Sequence, residues 1–369
     1  MLNVEKKMIS NEILNYSDVE LENILCPSTT IDAWTFKGKD IREAIIGKRI
    51  LNPSIDLSNL CNLNCPYCYV EKIGSLKKIK NNNELGYFDY INIIDKLNDA
   101  GAKTINIVGA GEPTVDENFY KIAGYIKSLN INVLVATNGI KIAKSDKLID
   151  FLNEIKASIV IKVNSFKNDL QDILVGKEGY SNYRDKALSK LISNGFNSDK
   201  PSRLGINTLL MKANIDEVYN IFKFCRENNI TFIAGNYMPT GRTKDAVFQG
   251  DYLLEDISSK KLFEPISSED YSLIRKKILD YDKQNNFPTI SPEAYISGLP
   301  CIQGLGIQID NVGKIWHCPA RHKLINGKLI SKEIGDTKTN SDLSKIWKSE
   351  SYLRWFRINY DGNCPYKTK

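Results

Sequence analysis

A chain of 369 residues with 42% hydrophobic and 25% charged side chains has the make-up of an ordinary globular protein, long enough for one large domain and a smaller one. It holds no run of about 18 apolar residues, which excludes an ordinary membrane-spanning helix, and Met1–Ser10 lacks the apolar segment of a secretory signal. The net charge of +6 is uneven: from Pro300 onward 12 Lys and Arg face 6 Asp and Glu, so the surplus lies wholly in the last part of the chain. A solvated basic face accounts for that surplus. No dedicated nucleic-acid motif accompanies it, so no nucleic-acid partner is expected.

In chain order, residues 1–51 read as an N-terminal extension of short helices, with a turn at Cys26-Pro27-Ser28 and a hairpin around Trp34–Lys39. The lone Cys26 reads as a small buried hydrophobe. From Leu51 short β-type runs alternate with amphipathic stretches, the signature of βαβ units around a parallel sheet. The predicted strands are Ser54–Leu57, Thr104–Val108, Asn132–Ala136, Ser158–Val163, Leu204–Leu210 and Thr231–Tyr237. The predicted helices are Tyr87–Ala100, Asn118–Leu129, Ser145–Glu154, Tyr183–Asn194 and Asn214–Asn228. In the last of these Val218, Ile221, Phe222 and Cys225 share one face, which makes Cys225 a core residue. Six strands fit an incomplete barrel better than a closed eight-stranded one, and functional groups then gather at the C-terminal strand ends.

The first such end carries Cys61-Asn62-Leu63-Asn64-Cys65-Pro66-Tyr67-Cys68. Soft thiolates in this density suit an iron–sulfur cluster, zinc or Cu(I). Zinc in a structural site wants four protein ligands, and no fourth Cys or His follows nearby. A 4Fe–4S cluster on three cysteines leaves one iron open to a ligand that is not protein. Cys65-Pro66-Tyr67-Cys68 also has the spacing of a redox dithiol. A c-type haem is excluded, because Tyr69 stands where its His would be. Eight cysteines without a signal peptide fit a reducing cytoplasm, with thiols serving metal rather than disulfides.

Other strand ends add polar groups. Gly109-Ala110-Gly111-Glu112-Pro113-Thr114 follows the second strand, with glycines that allow close backbone approach and a carboxylate at the mouth. Thr137-Asn138-Gly139 ends the third strand and Lys162-Val163-Asn164-Ser165 the fourth. Together they make a small-molecule site on one face.

On these residues the chain resembles the radical S-adenosylmethionine (SAM) enzymes from about Ser54 onward. The resemblance rests on CxxxCxφC at Cys61, Cys65, Tyr67 and Cys68, on a GGEP-like Gly109–Pro113 with Ala110 in place of a glycine, and on Met238–Arg242. It implies a partial (β/α)6 TIM-like barrel over residues 52–240, with Cys61, Cys65 and Cys68 holding a 4Fe–4S cluster and SAM on the open iron. Glu112 would accept from the SAM ammonium, within a loop of Gly109, Ala110 and Gly111, and with Asn138 also in the SAM site. Asn164 and Ser165 match the ribose position, and Tyr67 the aromatic beside adenine. The implied activity is reductive cleavage of SAM to a 5′-deoxyadenosyl radical that abstracts hydrogen from a substrate C–H bond, an oxidoreductase-type outcome. An electron donor such as flavodoxin or ferredoxin would serve it.

Residues 241–299 read as a linker with polar Thr243–Asp251 and one helix over Ser267–Asn285. Residues 300–369 form a small C-terminal module. There Cys301, then Gly313 and Cys318 five residues on, flank a hairpin of Ile307–Asp310 and Lys314–Trp316, and Cys364 follows a helix over Asp342–Phe356. This is similar to the SPASM/twitch module, which implies an auxiliary iron–sulfur cluster of 4Fe–4S type on Cys301, Cys318 and Cys364. Lys367 stands where a terminal CxxC has its second thiol, so a fourth ligand falls to substrate or to His317, His322 or Cys26. The short extension before the barrel favours a small polar molecule or a short peptide as substrate, with a cross-linking or epimerising peptide maturase as the alternative. A thiol–disulfide protein and a metal-bearing binding module stand as readings of another class.

Overall fold

The computed structural model describes residues 15–68, 83–237, 263–287, 296, 302–318, 324–325, 328–329, 333–339 and 342–349. The N-terminal part is helical. α1 (Asp18–Leu25) opens on a capping box in which Ser17 and Glu20 bond each other's backbone N–H. It packs on α2 (Gly38–Ile45) through Leu21, Leu25, Ile41, Ala44 and Ile45. The two helices meet at Gly38, where a Cβ would lie 1.9 Å from the Asp18 carbonyl oxygen. The hairpin expected around Trp34–Lys39 is not formed: Asp32–Trp34 is a 3₁₀ turn and α2 begins at Gly38. Tertiary packing overrides the extended look of the sequence there, because Ile41, Ala44 and Ile45 recur at helical spacing against α1.

Six parallel strands follow in sequence order: β1 (Ser54–Ile55), β2 (Thr104–Ile107), β3 (Asn132–Thr137), β4 (Ser158–Lys162), β5 (Leu204–Leu210) and β6 (Thr231–Asn236). Each pairs in parallel with the next. Between them run α3 (Tyr87–Asp99), α4 (Phe119–Ser128), α5 (Ile140–Lys144), α6 (Asp146–Glu154), α7 (Asn168–Val175), α8 (Tyr180–Ser193) and α9 (Ile215–Glu227). All six predicted strands are present, and the expected helices are found within a few residues of their predicted ends. Sequence reading missed α5 and α7, and α8 starts three residues early, at Tyr180.

Period-two alternation sorts the strand residues. Ile105, Ile107, Val133, Val135, Ile159, Ile161, Ile206 and Phe232 face the helices in one large core that includes the fully buried Cys225. The opposite, concave face is filled at its N-terminal end by the chain's own extension. There Ile31 and Ala33 pack on Leu134 and Val160. The Ala33 N–H donates to Ser158 Oγ (3.1 Å), the Thr104 hydroxyl to the Ala33 carbonyl, and Trp34 Nε1 to Asn106 Oδ1 (2.9 Å).

After β6, α10 (Ser268–Gln284) starts at the Ser267 cap, as its sequence announces. It is tied to α9 by a buried two-pronged ion pair, Arg226 Nε and Nη2 to the Asp282 carboxylate at 2.9 and 3.2 Å. The predicted hairpin forms as β7 (Gln308–Ile309) and β8 (Lys314–Trp316), turned at Gly313 with φ +93°. β7 pairs in parallel with β1, so the hairpin extends the barrel sheet. β9 (Leu324–Ile325) and β10 (Lys328–Leu329) form a separate ribbon, β11 (Glu333–Asp336) pairs with β8, and α11 (Leu343–Ser349) ends the described chain. The nine-stranded order is β11-β8-β7-β1-β2-β3-β4-β5-β6. The sheet is open, as a partial barrel requires.

Candidate active site

The thiol loop leaves the C-terminal end of β1 and is clamped by three neighbouring loops. Behind it, the buried Tyr90 hydroxyl lies 2.7 Å from both the Asp56 and Leu57 carbonyls. On the β2 side the Glu112 N–H donates to the Leu60 carbonyl at 2.7 Å. On the β3 side Asn138 Nδ2 donates to Asn62 Oδ1 at 2.7 Å. On the β4 side the Asn64 N–H donates to the Val175 carbonyl (3.3 Å), and a Cβ on Gly176 would lie 2.4 Å from the Asn64 oxygen. Within the loop, the Cys68 N–H bonds the Cys65 carbonyl at 3.1 Å. Cys61, Cys65 and Cys68 are half-buried thiols outside any disulfide.

Glu112 is the centre of the second loop. Only 2% exposed, its Oε1 accepts from the Thr114 and Thr137 hydroxyls, both at 2.6 Å, and from the Thr114 N–H at 3.2 Å. Oε2 accepts from the Asn138 N–H at 2.7 Å. Burial pushes the carboxyl up, and these bonds pull it back. A carboxylate offers about four acceptor positions, so Oε2 retains one. No Lys or Arg bonds Glu112 among the described residues, and a buried carboxylate in that state favours a cationic ligand. Gly109 takes φ +75°, and a Cβ on Gly111 would lie 2.1 Å from the Leu60 oxygen. The backbone thus needs these two glycines, and Ala110 occupies the one position that tolerates a methyl group.

Asn164 and Ser165, both fully buried, are held by residues that sequence reading did not single out. Gln171 Oε1 of α7 accepts from both backbone N–H groups at 2.8 and 2.9 Å. Asn214 Nδ2 donates to the Asn164 carbonyl and Arg184 Nη1 to the Ser165 carbonyl, at 2.7 and 2.6 Å. Ser165 Oγ donates to Glu217 at 3.3 Å. The Asn164 amide reaches the Tyr67 hydroxyl at 2.8 Å. Tyr67 and Asn164, predicted as separate contacts, are one bonded pair. The signal for α7 was available: Leu170 and Leu174 stand four residues apart on one face, and Gly176 at φ +62° ends the helix.

Burial, and the Cys68 and Cys61 thiols beside it, push the Cys65 thiol up to about 12. Among the described residues no three His, Cys, Asp or Glu side chains converge on a single ion, whereas thiols that ligate separate irons of one cube stand further apart.

At the other end of the chain, Gln308 pairs with both Ser54 and Trp316. β8 thus runs back to the N-terminal edge of the sheet, and Cys318, two residues further, lies opposite to the Cys61–Cys68 end. Cys26 packs in the α1–α2 cluster, where its sulfur accepts from the Phe36 N–H at 3.2 Å. His317 is buried. Cys301, Cys364, His322, Lys367, Met238–Arg242 and Thr243–Asp251 lie outside the described residues.

Thiol loop, glycine–carboxylate loop and polar strand ends at one mouth of an open parallel barrel define an enzyme class that works with a cluster and a small cofactor. A sequence model of the radical SAM superfamily matches residues 55–225, and the chain belongs to that superfamily, whose enzymes use SAM and a 4Fe–4S cluster. It is 23% identical over 308 residues to mycofactocin maturase MftC of Mycolicibacterium smegmatis, covering 82% of this chain and 71% of that protein. It is 23% identical over 328 residues to the AdoMet-dependent heme synthase of Methanosarcina barkeri, covering 85% and 87% of the two chains. Among solved structures, Streptococcus suis SuiB bound to S-adenosylmethionine shares the fold with a TM-score of 0.55 at 19% identity, over 84% of this chain and 68% of that one. SuiB has also been solved bound to its precursor peptide SuiA, with a TM-score of 0.55 at 16% identity over 87% and 69% of the chains. Among the described residues no helix is long and apolar enough to cross a membrane.

Proposed function

We propose that this radical SAM enzyme acts oxidatively on a peptide, with Cys61, Cys65 and Cys68 as ligands of the SAM-binding cluster. When bound, the cluster and SAM supply a 5′-deoxyadenosyl radical that takes hydrogen from a substrate C–H bond. The single observation that carries the reading is the junction of the two loops at Leu60: the glycine–carboxylate loop bonds the thiol loop directly, backbone to backbone. Glu112, with one acceptor position left on Oε2 and no Lys or Arg bonded to it among the described residues, suits the SAM ammonium. Gly109, Ala110 and Gly111 bring the backbone close, and Asn138 links Glu112 to the thiol loop through Asn62. Asn164 and Ser165 line the strand end where the ribose would lie.

The peptide reading is supported by two relatives, one named as a maturase and one solved with a precursor peptide. A small polar molecule is the second reading. In this proposal residues 1–51 are an N-terminal extension, 52–240 the barrel, 241–299 a linker and 300–369 the part that would hold an auxiliary cluster on Cys301, Cys318 and Cys364. The placement of Cys318 at the far end of the sheet favours an electron-accepting role behind the substrate, and flavodoxin or ferredoxin suits the donor.

The test is anaerobic reconstitution with iron, sulfide, SAM and dithionite. Formation of 5′-deoxyadenosine and methionine, lost in Cys65→Ala, supports the reading, and iron near eight rather than four atoms per chain supports two clusters. Cys318→Ala should keep SAM cleavage and lose substrate turnover. Protein that binds iron and never consumes SAM refutes the assignment.

A further inference from the structure

The two oxygens of the Glu112 carboxylate are used unequally. Oε1 accepts from the Thr114 hydroxyl, the Thr114 N–H and the Thr137 hydroxyl, whereas among the described residues Oε2 accepts from the Asn138 N–H alone. The Thr114 bonds are local, since Glu112 caps its own short turn, Pro113–Val115, with that oxygen. Thr137 is different. It stands at the end of β3, 25 positions away, and reaches Oε1 across the sheet at 2.6 Å. The direction of this bond is fixed, because the Gly139 N–H donates to the Thr137 oxygen at 3.0 Å and the hydroxyl proton is left for Glu112. Asn138 is held in turn: the Tyr180 hydroxyl donates to its carbonyl at 2.8 Å and the Ile140 N–H to its Oδ1 at 3.1 Å. One strand end therefore grips both oxygens, Thr137 the first and Asn138 the second. Each of these bonds favours the ionised carboxylate, against the burial that opposes it.

We propose that Thr137 is a positioning residue for SAM: its hydroxyl anchors Oε1 from across the sheet, sets the carboxylate plane and leaves the open position of Oε2 to the SAM ammonium. The inference rests on the reading of Glu112 as the ammonium partner. The titratable groups on the surrounding elements are otherwise engaged. Lys141 of α5 donates to the Thr114 carbonyl at 2.6 Å, and Tyr180 of α8 bonds Asn138. Asp116, in the same loop, accepts from the Asn118 N–H at 2.8 Å. The thiol loop, joined to Glu112 at Leu60, brings Cys61.

The experiment titrates the reconstituted protein, its cluster left oxidised, with SAM by equilibrium dialysis between about pH 5.5 and 8. A proton on the carboxyl competes with the ammonium, so affinity falls as pH drops toward the range of Glu112, and loss of a donor moves that range up. Thr137→Val exchanges the hydroxyl for a methyl group. It is expected to bind SAM about tenfold more weakly at neutral pH and to lose affinity at a higher pH than the parent. Thr137→Ser keeps the hydroxyl and is expected to follow the parent in both. The SAM amino group titrates alike in all three proteins, so a difference between the profiles belongs to Glu112. Parental affinity and profile in Thr137→Val, at equal iron and sulfide content, overturn the proposal, as does a loss shared equally by Thr137→Ser. Should Thr137→Val take up no cluster, Thr137→Ala against Thr137→Ser decides: equal profiles overturn the proposal, and a profile moved to higher pH in Thr137→Ala supports it. A Glu112→Gln protein that binds SAM as the parent does refutes the assignment of Glu112 itself and takes this inference with it.

Discussion

Gly111→Ala is the most demanding test of how the two loops meet. The added methyl carbon would lie 2.1 Å from the Leu60 oxygen, 2.6 Å from the Leu60 carbonyl carbon and 2.8 Å from the Asn59 carbonyl carbon. All three are backbone atoms, so no side-chain rotation relieves the clash, and the two loops must part by about 1.3 Å or more to reach ordinary contact. Overpacking of this kind costs about 1–3 kcal/mol. Parting also breaks the 2.7 Å bond from the Glu112 N–H to the same Leu60 oxygen, and an unpaired buried N–H costs a further 1–3 kcal/mol or so. Stability should therefore fall by roughly 2–6 kcal/mol, measured as the urea midpoint of the apoprotein. A misplacement near 1 Å between reacting groups costs on the order of 100-fold in rate, so 5′-deoxyadenosine formation per loaded cluster should drop by about that factor. Ala110→Gly, one residue away, should change neither by much, since Ala110 meets no such contact. A Gly111→Ala protein with parental midpoint, iron content and SAM cleavage would refute the claim that backbone contact at Leu60 aligns the site.

Glu112→Gln should weaken SAM binding by about tenfold or more, read by equilibrium dialysis, because the amide carries no charge for the ammonium and turns its NH₂ toward the Asn138 N–H. Asp282→Ala should cost about 3–5 kcal/mol by leaving Arg226 charged and buried, seen as a lower urea midpoint with cluster content retained. The Cys26 thiol, pushed up to about 12 mainly by burial, should react with iodoacetamide at pH 8 roughly a thousandfold more slowly than in the unfolded chain, followed by mass spectrometry. Because its folded value lies above its unfolded one, the stability this thiol contributes is complete below pH 9 and is lost as pH climbs toward 12. A urea midpoint that does not fall over that alkaline range in the parent relative to Cys26→Ser contradicts the assignment.

The parallel strands were legible because β-branched runs ended at glycine or polar clusters, and because helical stretches of ordinary length separated them. The thiols and Glu112 stood out as candidates for a different reason, since few chemistries ask for three cysteines at that spacing. What the sequence hid was relational. Gln171, Arg184, Asn214 and Glu217 look like ordinary polar residues on helices, and only the packing of α7, α8 and α9 turns them toward Asn164 and Ser165. Trp34 misled for the same reason. An aromatic beside Thr35 and Phe36 has strand-like character, yet its indole bonds Asn106 across 72 positions in the chain. Nor did local pattern reveal that β7 joins β1, since pairing between residues some 250 positions apart is fixed by tertiary packing.

That pairing, together with the inserted N-terminal turn, gives the concave face of the sheet a direction. Toward the N-terminal edge the inward positions are sealed, with Leu134 2%, Val160 5% and Ile31 0% exposed. Further up, Val108, Ala136, Lys162, Asn207, Leu209 and Ile233 are only half-buried while their outward neighbours are buried. The open half lies under the thiol loop, and the Ile31–Trp34 segment closes the other. A substrate group entering from the mouth meets the Cys61–Cys68 loop first, and the inserted segment stands between it and the edge that carries Cys318. A radical abstracts hydrogen only at contact distance, and an electron can cross a packed layer that an atom cannot. On the proposed reading, the sealed half of the barrel confines the radical chemistry to one end and leaves the far end to electron transfer.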